Sequence, residues 1–320
     1  MAVASSIHHL VTDLRGTLDF IELWATIARG DPIDFARIPE NWDHTPSRFF
    51  PGLIKHSADS ISPPLPPFIV AATPVTAIAA TFSAPAAAST WKFTKNELEQ
   101  LKRDFSPKDS EAWISSGDAL SALITGAITR ARSEANIPRL EGRSSLESQV
   151  ERVAMAADGR YRTPQPNMAN GQYFGNFNNL WCADISRADL LSASLEAGAR
   201  VASAIRKGLD DALSAASVAK RIAFMEDEEY SSPSGRVTWE ADVILTNWCR
   251  FDLQGPSFDL GWGKPFHATP GTGGVVPPGY SLITRGGDSG DIVALVTVDV
   301  DGENALKADP MLNKYATLQA

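Results

Sequence analysis

The sequence contains few cysteines, and this excludes two classes of protein. Only Cys182 and Cys249 occur in 320 residues, and they form no C-x-x-C pair. Neither a disulfide framework nor a cysteine-rich metal site is therefore expected. The start of the chain also lacks a basic stretch followed by a long apolar core, so it does not resemble a secretory signal. These shortages together indicate a cytoplasmic protein.

Long apolar runs and positive charge are also scarce. The most apolar stretch, residues 67–82, is shorter than the roughly 20 residues needed to cross a bilayer and contains Pro74. The 29 Lys and Arg residues are outnumbered by 38 Asp and Glu residues, which gives a net charge of −9. A phosphate backbone would be repelled by that charge. Neither a membrane nor a nucleic acid is expected as a partner.

What the sequence does contain is the alternating pattern of an α/β protein. Apolar residues recur at helical spacing from residue 13 to residue 28, and Gly30 follows as a stop. The small, uncharged residues 2–7 before this helix are interpreted as the end of a buried strand. Residues 237–248 and 292–300 are rich in β-branched and aromatic side chains and predict strands.

Two capping boxes predict long helices farther along the chain. Ser115 and Asp118 have the spacing of such a box and precede an apolar helical face. Ser186 and Asp189 repeat the spacing ahead of a second apolar pattern that continues to Leu209. Strands that alternate with long helices imply a layered α/β architecture.

The domain organisation follows from the proline content. Residues 39–90 hold many prolines and predict a long connection with short strands at most. A charged helix is predicted over residues 95–105, and a break follows it. We therefore predict two domains, residues 1–105 and residues 106–320.

Two short strings could carry chemistry. His8 and His9 are followed by Asp13 in the string IHHLVTD, and an imidazole suits a general base at physiological pH. The structural alternative is a hydrogen-bonded pair of histidines at a helix start. The second string is FDLGWG, residues 258–263, in which two glycines flanking a tryptophan allow a tight turn held by Asp259. Its structural alternative is a surface turn with an aromatic plug.

Together these strings resemble the HxxxD and DFGWG signatures of the BAHD acyltransferases, with Leu260 in place of the usual Phe. The closest resemblance is to fungal, trichothecene 3-O-acetyltransferase-like members. Five further elements resemble the family, in order along the chain: WISSGDALSALITGAITRAR (113–132), AADGRYR (156–162), YFGN (173–176), TNW (246–248) and the segment from Ala308 to Ala316.

The resemblance implies a fold and a missing part. The family has a two-domain, chloramphenicol-acetyltransferase-like α/β fold, with mixed sheets flanked by helices. Its members have a long region before HxxxD, whereas only seven residues precede His8 here. The resemblance therefore implies an N-terminally truncated chain. Residues 1–105 would be the remnant of an incomplete first domain together with the crossover region.

The resemblance also implies an activity: transfer of an acyl group from acyl-CoA to a hydroxyl or amine of a secondary metabolite. His9 would be the general base. Asp13 would pair with Arg160 and fix the loop that carries His9. Asp259 is the second candidate for the catalytic site, although its implied role is mainly to hold the turn at the mouth of the CoA channel. The flanking residues of that turn would support it, namely Gly261, Trp262 and Gly263.

Contacts to CoA are expected from Tyr173, Asn176 and Thr246, with packing and turn formation as the alternative role for all three. Acyl-CoA is the expected co-substrate, with no permanently bound cofactor and no metal. The expected partners are acyl-CoA and a small alcohol or amine, and the protein is expected to be a monomer.

Other interpretations remain. A truncated chain could keep the fold as a non-catalytic binding or scaffold module. The string GDSG at 287–290 is similar to the surroundings of a protease nucleophile, but no matching histidine signature accompanies it. Peptide-synthetase condensation domains carry HHxxxDG, whereas Leu14 follows Asp13 here, and they lack the turn at Asp259. The acidic run at 225–229 is interpreted as a solvated surface.

Overall fold

A computed structural model describes residues 2–37, 50, 52, 68–70, 85–108, 112–137, 149–162, 173–227, 237–239, 241–268, 276–287 and 289–319. Its α-helices are α1 (Leu14–Arg29), α2 (Lys95–Phe105), α3 (Ser116–Glu134), α4 (Arg187–Leu191), α5 (Leu195–Ala212), α6 (Ala215–Glu226), α7 (Glu303–Ala308) and α8 (Pro310–Tyr315). Its strands are β1 (Phe68–Val70), β2 (Ala86–Phe93), β3 (Val150–Asp158), β4 (Asn178–Ser186), β5 (Val237–Trp239), β6 (Val243–Asn247), β7 (Tyr280–Arg285), β8 (Ile292–Asp299) and β9 (Thr317–Leu318).

A seven-stranded mixed sheet forms the centre of the fold, and its strands lie in the order β4-β3-β6-β7-β8-β2-β9. Strands β3, β6 and β7 run parallel to one another, whereas the remaining neighbours are antiparallel. Because parallel strands end at the same edge of a sheet, the segments that follow β3 and β6 leave it on the same side. The predicted α/β fold with mixed sheets and flanking helices is confirmed.

The main core lies between this sheet and helices α2, α3, α5, α7 and α8. Helix α3 is rich in small residues, and nearly every residue from Asp118 to Ala131 is buried, including several polar ones. Such a helix is stable only when neighbours cover it all round. The largest side chains that pack in this core are Trp91, Phe93, Phe105, Trp181 and Tyr315.

Three predicted helices are confirmed, and for α3 the predicted capping box at Ser115 is confirmed as well. The structure also shows that Asp13 caps α1 and that Thr94 caps α2 through a reciprocal capping box. Helix α1 ends at Gly30, whose φ of 75° is left-handed and is adopted without strain by glycine. Among the described residues, no helix has both the length and the apolarity of a bilayer-spanning segment.

The predicted cap at Ser186 is wrong. Its side chain accepts no capping hydrogen bond, and α4 ends after five residues at Leu191. The carbonyl of Leu190, in the last turn of α4, accepts a hydrogen bond from Arg130 of α3 at 3.0 Å. Ser194, which accepts from the backbone N–H of Ala197, caps α5 instead.

Two strand predictions also need correction. Residues 2–7 form no strand and are mostly exposed, because no described strand pairs with them. The predicted strand over 237–248 is two strands, since β5 pairs with β1 and β6 pairs with β3 and β7. The predicted strand over 292–300 is confirmed as β8.

The predicted domain boundary near residue 105 coincides with no break in the sheet. Strand β2 precedes that boundary and pairs along its whole length with β8, which follows it. The division into residues 1–105 and 106–320 stays a prediction. Most of residues 38–84, where a long connection is predicted, lies outside the described residues.

Candidate active site

Helix α1 begins at a capped turn that is bonded to distant parts of the chain. The Asp13 carboxylate accepts a hydrogen bond from the Gly16 N–H at 3.1 Å and another from the Phe177 N–H at 2.8 Å. It also accepts two from the Arg160 guanidinium, at 2.9 and 3.0 Å. The Arg160 and Asp13 side chains are only 3% and 7% exposed. The predicted pairing of Asp13 with Arg160 is confirmed. Each carboxylate oxygen of Asp13 accepts two hydrogen bonds, one from Arg160 and one from a backbone N–H.

Arg160 reaches this turn from the end of β3. Its guanidinium also donates to the Gly175 carbonyl at 2.8 Å and to the Asp158 carboxylate at 3.1 Å, and it lies 5.5 Å from the centre of the Tyr173 ring. Burial alone would lower the pKa of Arg160, but the carboxylates of Asp13 and Asp158 raise it above its ordinary value. Arg160 is therefore a permanently charged centre around which three chain segments assemble.

His9 lies four residues before Asp13, is exposed to solvent, and is held by Asn176. The Asn176 Nδ2 donates to the main-chain oxygen of His9 at 2.8 Å, and its Oδ1 lies 3.1 Å from the His9 Nδ1. A carbonyl oxygen can only accept, so the amide nitrogen must face it and Oδ1 must face the ring. Oδ1 can only accept as well, so Nδ1 carries the proton. In the neutral imidazole, Nε2 is then left with a free lone pair.

The neighbouring residues have supporting contacts of their own. Tyr173 is 2% exposed, and its hydroxyl donates to the main-chain oxygen of Asn176 at 3.1 Å. The Thr12 hydroxyl donates to the Gly175 carbonyl at 3.2 Å. His8, next to His9, accepts a hydrogen bond from the Leu10 N–H at 3.2 Å through its Nδ1. The segment 173–177 thus forms the support under His9.

The second predicted string forms a tight turn around one carboxylate. Oδ1 of Asp259 accepts hydrogen bonds from the N–H groups of Gly261, Trp262 and Gly263, at 2.7, 2.9 and 2.8 Å. Both glycines have left-handed φ values, 96° and 99°, which other residues adopt only with strain. Desolvation would raise the pKa of Asp259, but the three N–H donors and the charge of Arg29 lower it below its ordinary value.

The two predicted catalytic residues lie at opposite ends of α1. This helix has 16 residues and therefore spans about 24 Å. His9 precedes its N-terminal end, whereas Arg29, its last residue, donates a hydrogen bond to the main-chain oxygen of Asp259. Within the described part of the chain, no hydrogen bond or ion pair joins Asp259 to His9, Asp13 or Arg160.

The three residues predicted to contact CoA lie in two different places. Tyr173 and Asn176 lie at His9, but Thr246 lies on β6, where its hydroxyl accepts from the Trp248 indole N–H at 3.2 Å. The hold of Asn176 on His9 was not predicted from the sequence. The YFGN string marked the residue, but nothing local could indicate its partner. Among the described residues, no group of three or more His, Cys, Asp or Glu could hold a metal ion.

Comparison with known proteins identifies the family. A model of the Transferase family matches residues 1–309. The chain is 29% identical over 321 residues to a hydroxycinnamoyltransferase of Narcissus pseudonarcissus, with 95% of this chain and 64% of that protein covered. It is 26% identical over 178 residues to Acyltransferase M4 of Phoma sp., with 55% and 33% covered.

Solved structures share the fold. The crystal structure of F. graminearum TRI101 with coenzyme A and deoxynivalenol matches with a TM-score of 0.71 at 22% identity, over 96% of this chain and 65% of that chain. Vinorine synthase matches with a TM-score of 0.56 at 16% identity, over 93% and 59%. The chain thus spans about 59–65% of the length of these two structures and 64% of the length of the Narcissus relative. Since the family model matches nearly all of its residues, the chain belongs to the Transferase family, that of the BAHD acyltransferases.

Proposed function

We propose that this chain carries the base of an acyltransferase that moves an acyl group from acyl-CoA to a hydroxyl or amine of a small metabolite. The observation that carries the proposal is the contact between His9 and Asn176, because in the neutral imidazole it places the proton on Nδ1 and leaves the lone pair of Nε2 available. An exposed base with a fixed tautomer can reach a substrate without first reorganising.

In the proposed reaction, Nε2 of His9 takes the proton of the acceptor hydroxyl as the oxygen attacks the thioester carbonyl. The tetrahedral oxyanion then collapses, the carbon–sulfur bond breaks, and the CoA thiolate takes the proton from the imidazolium. No covalent acyl-enzyme is needed. General-base assistance of this kind contributes about 10²- to 10⁴-fold to the rate.

The names of the relatives support this chemistry. TRI101 is crystallised with coenzyme A and deoxynivalenol, and the curated relatives are a hydroxycinnamoyltransferase and an acyltransferase. We extend acyl-CoA to this chain as co-substrate, with a hydroxylated secondary metabolite as acceptor. We also propose that the protein acts as a monomer in the cytoplasm.

Roles follow for the remaining site residues. We assign Asp13 and Arg160 to holding the His9 loop, and Asn176 to holding the His9 ring rather than to CoA. Tyr173 has its hydroxyl bonded to the main chain of Asn176, which favours support over contact with CoA. Thr246 remains the proposed CoA contact.

Asp259, although a candidate for the catalytic site, is assigned to its turn. Its carboxylate oxygen is already bonded to three backbone N–H groups, and the residues of that turn, Gly261, Trp262 and Gly263, share the structural role. Because Oδ1 is committed to these three bonds, we assign the carboxylate to shaping the turn rather than to the reacting atoms.

The test compares His9→Ala with His8→Ala. The two histidines are adjacent and exposed, but the Asn176 contact belongs to His9. Purified protein is assayed for CoA release from acetyl-CoA and a hydroxycinnamoyl-CoA, with a panel of small alcohols and amines that includes deoxynivalenol. We expect transfer that is lost in His9→Ala and retained in His8→Ala. Full turnover by His9→Ala would refute the role of this residue.

The alternative is a binding module that keeps the fold without turnover. Such a module would show a rise in the melting temperature on addition of CoA, with no acyl transfer to any acceptor. Transfer by the wild-type protein would exclude it.

A further inference from the structure

One face of α1 contacts residues 251–259, the segment that ends in the Asp259 turn. Residues 15, 22 and 29 are spaced by seven and therefore lie on the same side of the helix. The Arg15 guanidinium lies 5.9 Å from the centre of the Phe251 ring, and the Ser257 hydroxyl lies 3.5 Å from a carboxylate oxygen of Glu22. Both contacts are long, so neither can fix the segment firmly.

The third contact on this face is the strong one. The Arg29 guanidinium donates from Nη1 to the main-chain oxygen of Asp259 and from Nε to the Asp31 carboxylate, the latter at 2.6 Å. The Arg29 side chain is 23% exposed, and its Cγ would lie 3.9 Å from a Cβ added at Gly261. Asp31 orients the guanidinium, and the guanidinium holds the turn.

The bonds of Asp259 divide into two sets. Its carboxylate accepts the three N–H groups of residues 261–263, so these bonds shape the turn from within. Its main-chain oxygen accepts from Arg29, and this bond attaches the finished turn to α1. Loss of the second bond would leave the turn formed but detached.

We propose that Arg29 is a positioning residue that fixes the Asp259 turn relative to the His9 loop, with α1 as the rigid spacer between them. At the other end of the helix, the buried pair of Asp13 and Arg160 fixes the loop. The effect of Arg29 on turnover rests on the proposed function, but its effect on the turn does not.

Substitutions at the two ends of α1 should have different kinetic effects. A change at Asn176 acts on the imidazole and should lower kcat. A change at Arg29 leaves the imidazole and its partners intact. It should instead raise the KM for acyl-CoA, because the turn is the part assigned to the mouth of the CoA channel.

The experiment measures hydrogen–deuterium exchange of the full chain in wild type, Arg29→Ala and Arg103→Ala. Arg103 is a matched control, since it lies in the last turn of α2 and donates to Gln100 of its own helix. We expect the amides of 261–263 to exchange about fivefold faster or more in Arg29→Ala alone. The amides of residues 16 and 17, beside Asp13, should exchange at the wild-type rate in all three proteins.

Arg29→Lys provides the second variant. A single ammonium cannot reproduce the two directed donors of the guanidinium, so exchange at 261–263 should be intermediate. If Arg29→Ala fails to fold, Arg29→Lys against wild type decides the question. Exchange at 261–263 that is unchanged, or that rises equally throughout the chain, would overturn the proposal.

Kinetics then separates this proposal from the proposed function. With an active wild type, Arg29→Ala should raise the KM for acyl-CoA severalfold, with kcat within about twofold and an unchanged pH profile. A fall in kcat with an unchanged KM would contradict the assignment. With an inactive wild type, the proposed function fails, and the exchange result alone decides whether Arg29 positions the turn.

Discussion

Asn176 binds His9 through both ends of one amide, at the imidazole Nδ1 and at the main-chain oxygen, across 167 positions of sequence. Because a single planar group makes both contacts, the amide that binds the main-chain oxygen of His9 also orients the ring through Nδ1. This arrangement needs no charged partner for the imidazole. The neutral amide orients the ring and defines its tautomer.

Replacing Asn176 should therefore impair chemistry more than folding. We expect Asn176→Ala to lower kcat by about 10- to 100-fold, because the imidazole then samples both tautomers and several rotamers. Acyl transfer and thermal unfolding are the two measurements. Asn313→Ala is the control. Asn313 also donates to main-chain oxygens, those of Lys307 and Asp309, but it lies near the C-terminal end of the sequence rather than at His9. An Asn176→Ala protein with wild-type kcat would contradict the assignment.

The buried pair of Asp13 and Arg160 should dominate the stability of this region. Arg160→Ala leaves a carboxylate buried without its cation, which costs about 3–5 kcal/mol of unfolding free energy. Guanidinium titration measures the change. Arg200→Ala is the control, because Arg200 pairs with Asp189 at an exposed site and should change stability little. Equal losses in the two variants would show that burial of the pair has no special effect.

Acid should weaken the Asp259 turn. The folded-state pKa of Asp259 is lowered, so its contribution is present above the unfolded value of about 3.9 and is lost as the pH falls through the folded value. Amide exchange at 261–263 is followed from pH 5 downward and corrected for intrinsic rates. Asp259→Asn cannot titrate and should show no such transition. A transition that persists in Asp259→Asn would assign it to another group.

The Cys249 thiol should be unreactive in the folded protein. Burial raises its pKa to about 11 from the ordinary 9.0, despite the opposing charge of Arg285. Each pKa unit reduces the thiolate tenfold, so alkylation at pH 8 should be about 100-fold slower than in denaturant. The Cys182→Ser background leaves Cys249 as the single thiol of the chain. Equal rates in folded and unfolded protein would contradict the burial of Cys249.

Sequence patterns predicted those structural features that depend on residues close together along the chain. Helix α1 could be delimited because Asp13 and Gly30 are its own start and stop. The false cap at Ser186 shows the limit, since Ser186 and Ser194 both suit a helix start. In the structure the helix that starts after Ser186 stops at Leu191, where an arginine of α3 binds the Leu190 carbonyl, and Ser194 caps α5. No local pattern contains that information.

In the candidate site, too, contacts between distant residues could not be predicted from local sequence patterns. Pairing of Asp13 with Arg160 was predicted from the resemblance to a family, not from spacing. The contact of Asn176 with His9 was missed although both residues had been singled out, because an amide has no charge that would indicate its partner. Likewise, Arg29 has the sequence context of an ordinary basic residue in the last turn of a helix.

The contacts of Asp13 also determine when the site can come into being. Its carboxylate joins residues 147 and 164 positions away, so none of these bonds can exist while only neighbouring residues have met. Helix α2, which carries a capping box within its own sequence, can form from adjacent residues before that. During refolding from denaturant, ellipticity should therefore recover first, and acyl transfer should return last, as a marker of the finished molecule.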